Sequence, residues 1–492
     1  RLAGDPTEGA LVTLALKCGL DRGGETGDLP RVDEIPFESE HRYMATLHHD
    51  HAGHARVYLK GAPERVLSLC RTQADGKPID RARWDEQLHR AARDGQRVLA
   101  LAACELPKGT TALSMDDITD RFTLLGLAGM IDPPRPEAIE SVARCQRAGI
   151  RVKMITGDHA VTAAAIGAQL GLDAGNALPG QEIEGLDERQ LAERIAATDV
   201  VARASPEHKL RLVDALQARG EIVAMTGDGV NDAPALKSAN IGVAMGQKGT
   251  DAAREASDIV LTDDNFASIG AAVHEGRTIF DNIKKALLFA LPTNGGQAMV
   301  ILLAVFVGMA LPVTAVQVLW VNMVVTVTLA LALAFEPSED GVMQRPPRPP
   351  AEPLITAAML AHIACVTVLV TGVTFWMFQW ELGRGVAIEE ARTAAVNMLV
   401  LAQLVYLFNS RRFVAPALAR DTLTGNPVAL WAALGLVALQ LGFTYLPVMQ
   451  TLFHTTAIGP EVWLRMTLLA AGVFLLVEVE KAAMRRLGIE RL

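Results

Sequence analysis

The stretch Met225-Thr226-Gly227-Asp228-Gly229-Val230-Asn231-Asp232-Ala233-Pro234-Ala235-Leu236 follows a short apolar run, Glu221 to Thr226, and decides the fold. An apolar run that breaks into Gly-Asp-Gly reads as a strand ending in a loop. Gly227 and Gly229 let backbone N–H groups approach an anion closely. Asp228 and Asp232 sit four residues apart around Asn231, and such hard oxygen donors suit Mg²⁺ held partly by carboxylate and partly by phosphate. Upstream, Met154-Ile155-Thr156-Gly157-Asp158 ends in the same way. Open parallel sheets bind ligands at the carboxyl ends of their strands. Both Thr-Gly-Asp loops are therefore expected to open into one crevice, where Thr156 adds a hydroxyl donor. A single such triplet is an ordinary turn; two of them, one inside a run from Thr226 to Leu236, make a candidate site.

Around this motif, from about Leu125 to Thr262, β-branched runs alternate with helical patterns. Ile150 to Thr156, Asp199 to Ala202, Glu221 to Thr226, Ile241 to Ala244 and Ile259 to Leu261 are expected strands. That spacing predicts a parallel α/β sheet of βαβ units. Before Asp120 the texture is looser: Met44 to His49 and Ala55 to Lys60 read as a hairpin, with helices around Thr7 to Lys17 and Trp84 to Asp94. Ile131-Asp132-Pro133-Pro134-Arg135 separates the two textures, Pro-Pro being a stiff boundary.

After about Lys285 the composition changes to long apolar stretches. The chain has 492 residues, 50% of them hydrophobic, and a mean hydropathy of +0.24. Six stretches are long enough to cross ~30 Å of hydrocarbon: 286–308, 313–335, 354–378, 392–410, 427–449 and 462–480. Lys284 and Lys285 precede the first, Arg345 and Arg348 follow the second, Arg411, Arg412 and Arg420 follow the fourth, and Lys481, Arg485, Arg486 and Arg491 follow the sixth. The opposite loops hold only Arg384 and Arg392 after the third span. Positive residues stay inside, so the soluble part is expected to face the cytoplasm, with the plasma (inner) membrane of a bacterium as the expected location. A net charge of −9, from 46 Lys+Arg against 55 Asp+Glu, supplies no basic stripe and argues against nucleic-acid binding. Cys18, Cys70, Cys104, Cys145 and Cys365 form no C-x-x-C and read as buried or inert thiols. The chain starts at Arg1 in mid-pattern, and the expectation is that it is the latter part of a longer protein.

Met225 to Leu236 resembles the hinge motif T-G-D-G-V-N-D-A-P-A-L of P-type cation-transporting ATPases, whose phosphorylation domain has the haloacid-dehalogenase fold. Gly4 to Leu11, Lys60-Gly61-Ala62-Pro63-Glu64, Asp132-Pro133-Pro134-Arg135, Met154 to Asp158 and Trp320-Val321-Asn322 match further family motifs, in the family's order. Six carboxyl-terminal spans look like the calcium, sodium and proton pump branches. The resemblance implies a multidomain α/β plus membrane protein: residues 1–124 a nucleotide-binding domain, 125–275 a haloacid-dehalogenase-like phosphorylation domain lacking its first strand, and 276–492 six transmembrane helices. It implies ATP and Mg²⁺ as cofactors. Glu8, Phe37, Arg42, Lys60, Gly61, Arg97 and Arg203 would bind nucleotide, with Phe37 stacking on adenine. Thr156, Gly157, Asp158, Lys209 and Asn231 would be catalytic, Lys209 facing the transferred phosphoryl group, and Asp228 and Asp232 would hold Mg²⁺.

The sequence departs from the family in two respects. It contains neither D-K-T-G-T, which carries the family's phosphorylated aspartate, nor the T-G-E-S dephosphorylation loop. The expectation is that both lie in a missing amino-terminal part, so that the isolated chain is inactive. The other reading is a non-catalytic nucleotide-binding scaffold or regulatory fragment of a split or degenerate pump. The ion path departs as well, because Asn294, Gln297, Asn322, Thr326 and Gln403 offer amides and hydroxyls where calcium pumps have carboxylates. A bare divalent ion needs anionic ligands. A monovalent cation such as Na⁺, K⁺ or H⁺ is therefore favoured over Ca²⁺, which stays the family-level alternative. Pro292 with Gly295 and Gly296 is expected to interrupt the first span. Glu478 and Glu480 are expected to snorkel, and His362 reads as a packed residue.

Overall fold

The computed structural model describes residues 6–20, 29–38, 40–413, 415–418 and 425–487. Gly4 of the first family motif and the loop residues Arg420 and Arg491 lie outside them, as does the side chain of Thr326. The chain divides into two compact units, Arg1–Gly270 and Ala271–Leu492.

The first unit begins with α1 (Pro6–Lys17), followed by β1 (Arg31–Ile35), β2 (Tyr43–His49), β3 (Ala55–Gly61), α2 (Pro63–Ser68), β4 (Cys70–Gln73), α3 (Arg81–Arg93), β5 (Arg97–Leu106) and β6 (Phe122–Met130). The six strands form one sheet in the order β1-β2-β3-β5-β6-β4. Tyr43, Ala45 and Leu47 on β2 and Ala55, Val57 and Leu59 on β3 alternate inward, the period-2 pattern of a half-buried sheet. The hairpin pairs His49 with Ala55, as its sequence indicates. β5 pairs antiparallel with β6 as far as Arg97 opposite Met130, so this sheet runs past residue 124 to residue 130. Burial pushes the Cys70 thiol up to about 12 and the Cys104 thiol up to about 11, which keeps both protonated and inert.

The same unit continues through α4 (Pro136–Arg147), β7 (Met154–Ile155), α5 (Ala160–Gln169), β8 (Leu178–Pro179), α6 (Gly180–Glu184), α7 (Glu188–Ala196), β9 (Val200–Ala202), α8 (Pro206–Ala218), β10 (Ala224–Gly227), α9 (Ala233–Ser238), β11 (Ile241–Met245), α10 (Asp251–Ala256) and β12 (Ile259–Leu261). All strand pairs here are parallel. The expected single sheet is corrected to two three-stranded ones, β7-β9-β8 and β10-β11-β12. Among the described residues β7 and β10 each have one outer edge with no strand partner. Only the ends of the apolar runs before each Thr-Gly-Asp pair up, and Met154 and Ile155 are half-buried, although strands of a covered parallel sheet are normally buried on both faces.

The second unit is helical, and α11 (Ala267–Val307) starts just ahead of it. There follow α12 (Ala315–Val325), α13 (Ala357–Gly383), α14 (Ile388–Ser410), α15 (Pro427–Tyr445), α16 (Pro447–Phe453) and α17 (Pro460–Arg486). Six helical segments are long and apolar enough to span a bilayer; one of them is α12 with its extension to Phe335. α12 passes into a π-helical turn at Thr326–Ala330, a distortion frequent at functional positions. α11 runs unbroken through Pro292, which corrects the expected interruption. It packs closely on α13: a Cβ at Gly296 would lie 2.9 Å from Val370 Cγ1. Glu478 and Glu480 do not snorkel either. Glu478 accepts hydrogen bonds from Asn409 and the Ala417 amide, and Glu480 meets the buried His362.

Candidate functional site

Lys209 is placed by the start of α8. Pro206 occupies the first turn, the Ser205 hydroxyl accepts the His208 amide at 3.2 Å, and His208 Nδ1 returns to the Ser205 amide at 3.1 Å. That cap directs Lys209 Nζ to Asp232 Oδ1 at 2.6 Å. The other Asp232 oxygen accepts the amides of Asp228 and Gly229, both at 3.2 Å. Asp232 is buried, and a Cβ at Gly227 would lie 2.6 Å from its own Cβ, so only glycine fits there. A buried carboxylate with a cation on one oxygen and two amides on the other is held rigidly. Asp228 and Asn231 are exposed at the end of β10, and the Asp228 carbonyl is anchored by the Thr250 amide at 2.9 Å.

The second Thr-Gly-Asp loop closes on itself. Thr156 Oγ1 donates to Asp158 Oδ2 at 2.9 Å and accepts the Asp158 amide at 3.1 Å. Asp158 also meets two of the residues expected at the nucleotide, one through its side chain and one through its backbone. Arg97 Nη2 reaches its Oδ1 at 2.5 Å, and the Arg203 amide donates to its carbonyl at 3.1 Å. Gly157 stands in open space, with nothing within 4 Å of where a Cβ would be. The Ala204 amide binds the Thr156 carbonyl at 3.1 Å, so the loop after β9 carries the Thr156 contact and leads directly into α8, whose first turn holds Lys209.

Lys60, Gly61, Arg42 and Glu8 come together at one end of β2 and β3. Lys60 Nζ is bound by both Glu8 oxygens, and a Cβ at Gly61 would lie 2.5 Å from the Arg42 carbonyl oxygen. Arg42 itself has φ 61°, uncommon without glycine. A cavity of about 450 Å³ opens beside it, lined by Glu40, His41, Arg42, Glu64, Arg65 and Ser68. Five of these six were not candidates in the sequence: Glu64 closes the Lys60–Glu64 motif without an assigned role, and no motif marks Glu40, His41, Arg65 or Ser68. Phe37 is 60% exposed and does not line the cavity.

In the membrane unit, Asn294, Gln297 and Asn322 line a second cavity of about 410 Å³ with Ala298, Ile301 and Val318. Gln403 is fully buried; its Nε2 donates to the Thr293 carbonyl at 3.5 Å, and its Oε1 has no hydrogen-bond partner among the described residues. Carboxylates are present in this unit but paired elsewhere: Glu336 with Arg411 at 2.6 Å, Glu339 with Lys285 at 2.9 Å, and Glu381 with Arg465.

Parallel strands ending in this Lys-Asp cluster, together with six apolar spans, define a membrane protein with a haloacid-dehalogenase-like region. Family comparison agrees along the chain. Residues 1–137 match the P-type ATPase cytoplasmic domain N, residues 209–273 the haloacid dehalogenase-like hydrolases, and residues 310–483 the cation transporting ATPase C-terminus. The chain belongs to the P-type cation-transporting ATPases and is a multi-pass membrane protein. It is 46% identical to the Probable cation-transporting ATPase F of Mycobacterium tuberculosis, over 98% of this chain and 54% of that protein. Identity to the cation-transporting ATPase pma1 of Synechocystis is 46%, over 94% and 52%, and to the calcium-transporting ATPase of Bacillus subtilis 38%, over 94% and 53%. The chain spans about half the length of these relatives.

Proposed function

We propose that this chain supplies the nucleotide-binding region, most of the phosphorylation region and six spans of an ATP-driven cation pump. Its soluble part lies in the cytoplasm, and the membrane is the plasma membrane of a bacterium. The observation that carries the reading is the Lys209–Asp232 pair. Asp232 fixes the ammonium and, through two amides, the Asp228 loop, so a cation and an exposed carboxylate are preset at the mouth of β10. Phosphoryl transfer is catalysed chiefly by such positioning and charge stabilisation.

The residues present fit Mg²⁺ bound together with phosphate. Among the described residues no three His, Cys, Asp or Glu side chains gather as a metal-binding group, and both Asp232 oxygens are engaged. Asp228 is therefore the carboxylate that would hold the ion, with phosphate oxygens completing its shell. Mg²⁺ there supplies charge neutralisation at the transferred phosphoryl group. Thr156, whose hydroxyl bonds Asp158, would face the same crevice from the end of β7. The free edges of β7 and β10 accept a further parallel strand, and that strand brings the aspartate that ATP phosphorylates, from sequence outside this chain.

In the membrane, the neutral cavity of Asn294, Gln297 and Asn322, with Gln403 bonded to Thr293 next to Asn294, favours a monovalent cation: desolvating a divalent ion against amides alone costs several kcal/mol more than they return. Ca²⁺, named for the Bacillus subtilis relative, is the competing outcome.

The test is labelling with γ-phosphate-labelled ATP and Mg²⁺. The full-length protein carrying this chain should form an acid-stable, hydroxylamine-labile phosphoenzyme, and Asp228→Ala should abolish it. A phosphoenzyme on the isolated chain would overturn the reading.

A further inference from the structure

Residue 292 of α11 is a proline inside a continuous helix, so no amide at 292 reaches the carbonyl of Leu288 four residues back. A bare carbonyl is costly within a bilayer. This one is capped from another helix: Tyr406 of α14, fully buried, donates its hydroxyl to Leu288 O at 2.7 Å. The hydroxyl oxygen lies 3.0 Å from Nε2 of His362 on α13, and Nδ1 of His362 lies 3.0 Å from Glu480 Oε2 on α17. Four helices meet in this chain of contacts.

Counting hydrogens orients it. The Leu288 carbonyl can only accept, so the single Tyr406 hydrogen points there. His362 Nε2 must then donate to the Tyr406 oxygen. A second hydrogen must lie between His362 Nδ1 and Glu480, on either atom. If that proton leaves, His362 keeps one hydrogen, on Nδ1 facing the carboxylate, and Nε2 becomes an acceptor. The Tyr406 hydrogen is drawn to it, and Leu288 loses its donor.

We propose that Tyr406 is a positioning residue for the cation cavity, capping the carbonyl that Pro292 leaves open, and that the His362–Glu480 pair sets the direction of its hydroxyl. Asn294 and Gln297 stand two and five residues beyond Pro292 and line that cavity. The turn that Tyr406 holds thus sets where they point. The other titratable groups around the pair are accounted for. Cys365 on α13 interacts with Glu480. Lys481 and Glu478, flanking Glu480 on α17, bond each other at 3.1 Å. On α11, one turn before Leu288, Lys285 pairs with Glu339, and Lys284 lies beside Asp281 and Glu352.

This inference rests on reading the cavity as the cation site, and two measurements on the full-length protein in lipid nanodiscs separate them. Amide hydrogen exchange over residues 290–297, without cation, should speed up about tenfold in Tyr406→Phe, the size of one lost hydrogen bond. The half-saturating concentration of the activating cation should rise by about the same factor, with maximal ATPase rate held within about twofold. Pro292→Ala restores an amide opposite Leu288, so in that background Tyr406→Phe should shift either readout less than about twofold. His362→Phe removes the donor to the Tyr406 oxygen and should move both readouts in the same direction as Tyr406→Phe, by a smaller factor. Unchanged exchange in Tyr406→Phe, or equal effects with and without Pro292, overturns the positioning role. Faster exchange with unaltered half-saturation for Na⁺, K⁺ and Ca²⁺ overturns the cavity reading instead, and the proposal with it.

Discussion

The crevice at the end of β10 and the cavity beside α11 handle charge in opposite ways. In the crevice a full ion pair, Lys209 with Asp232, stands at 2.6 Å beside the exposed Asp228. In the membrane cavity the lining is neutral, while Glu336, Glu339 and Glu381 are paired with Arg or Lys and do not line it. Under the proposed function, a phosphoryl group arriving with several negative charges would be met by a fixed cation, and a desolvated cation by oxygen dipoles, since a permanent carboxylate there would need a counter-ion whenever the site stood empty.

The largest effect is expected where the crevice is cut. Lys209→Ala in the full-length protein should lower ATP-dependent phosphoenzyme formation about a hundredfold or more, by leaving Asp232 buried without its cation and the phosphoryl group without a partner. A loss under about tenfold, measured by rapid quench, would mean that the pair is structural. Next comes the packing beneath it. Gly227→Ala forces a methyl against Asp232 and should destabilise the fold by about 3 kcal/mol, seen as a lowered thermal midpoint of the purified chain. The contrast itself is tested by Gln297→Glu, which puts a carboxylate into the neutral cavity. Half-saturation by Ca²⁺ should improve about tenfold relative to Na⁺ or K⁺ if the missing charge is what disfavours a divalent ion. No change in selectivity would show that Gln297 does not face the ion. The smallest effect belongs to Arg97→Ala. Its partner Asp158 is shielded, but the Arg97 side chain is 62% exposed, so chemical denaturation should report a loss of about 1 kcal/mol or less.

Local chemistry was legible in the residues themselves. The Thr-Gly-Asp loops, the β2–β3 hairpin and the six spans each announce themselves within a few residues, because turn chemistry, period-2 alternation and hydrocarbon thickness act over short stretches. The membership of the P-type family follows from the order of such local motifs. β8, only Leu178–Pro179, is too short to show a period, and the division of the parallel strands into two sheets is invisible to any pattern read along the chain.

What the sequence determined by itself was the identity of the groups: Lys209, Asp228 and Asp232 in one region, amides without acids in the other. The tertiary structure alone decided their partners. Arg97 turns to Asp158 across 61 residues instead of joining Lys60, and Glu8 is what Lys60 meets. Pro292 predicted a helix break, yet the helix continues, and a tyrosine 118 residues past Leu288 covers the open carbonyl. A proline's missing N–H is a property of one residue, whereas the donor that replaces it comes from whichever helix packs against that face, and packing is settled only when all the helices meet.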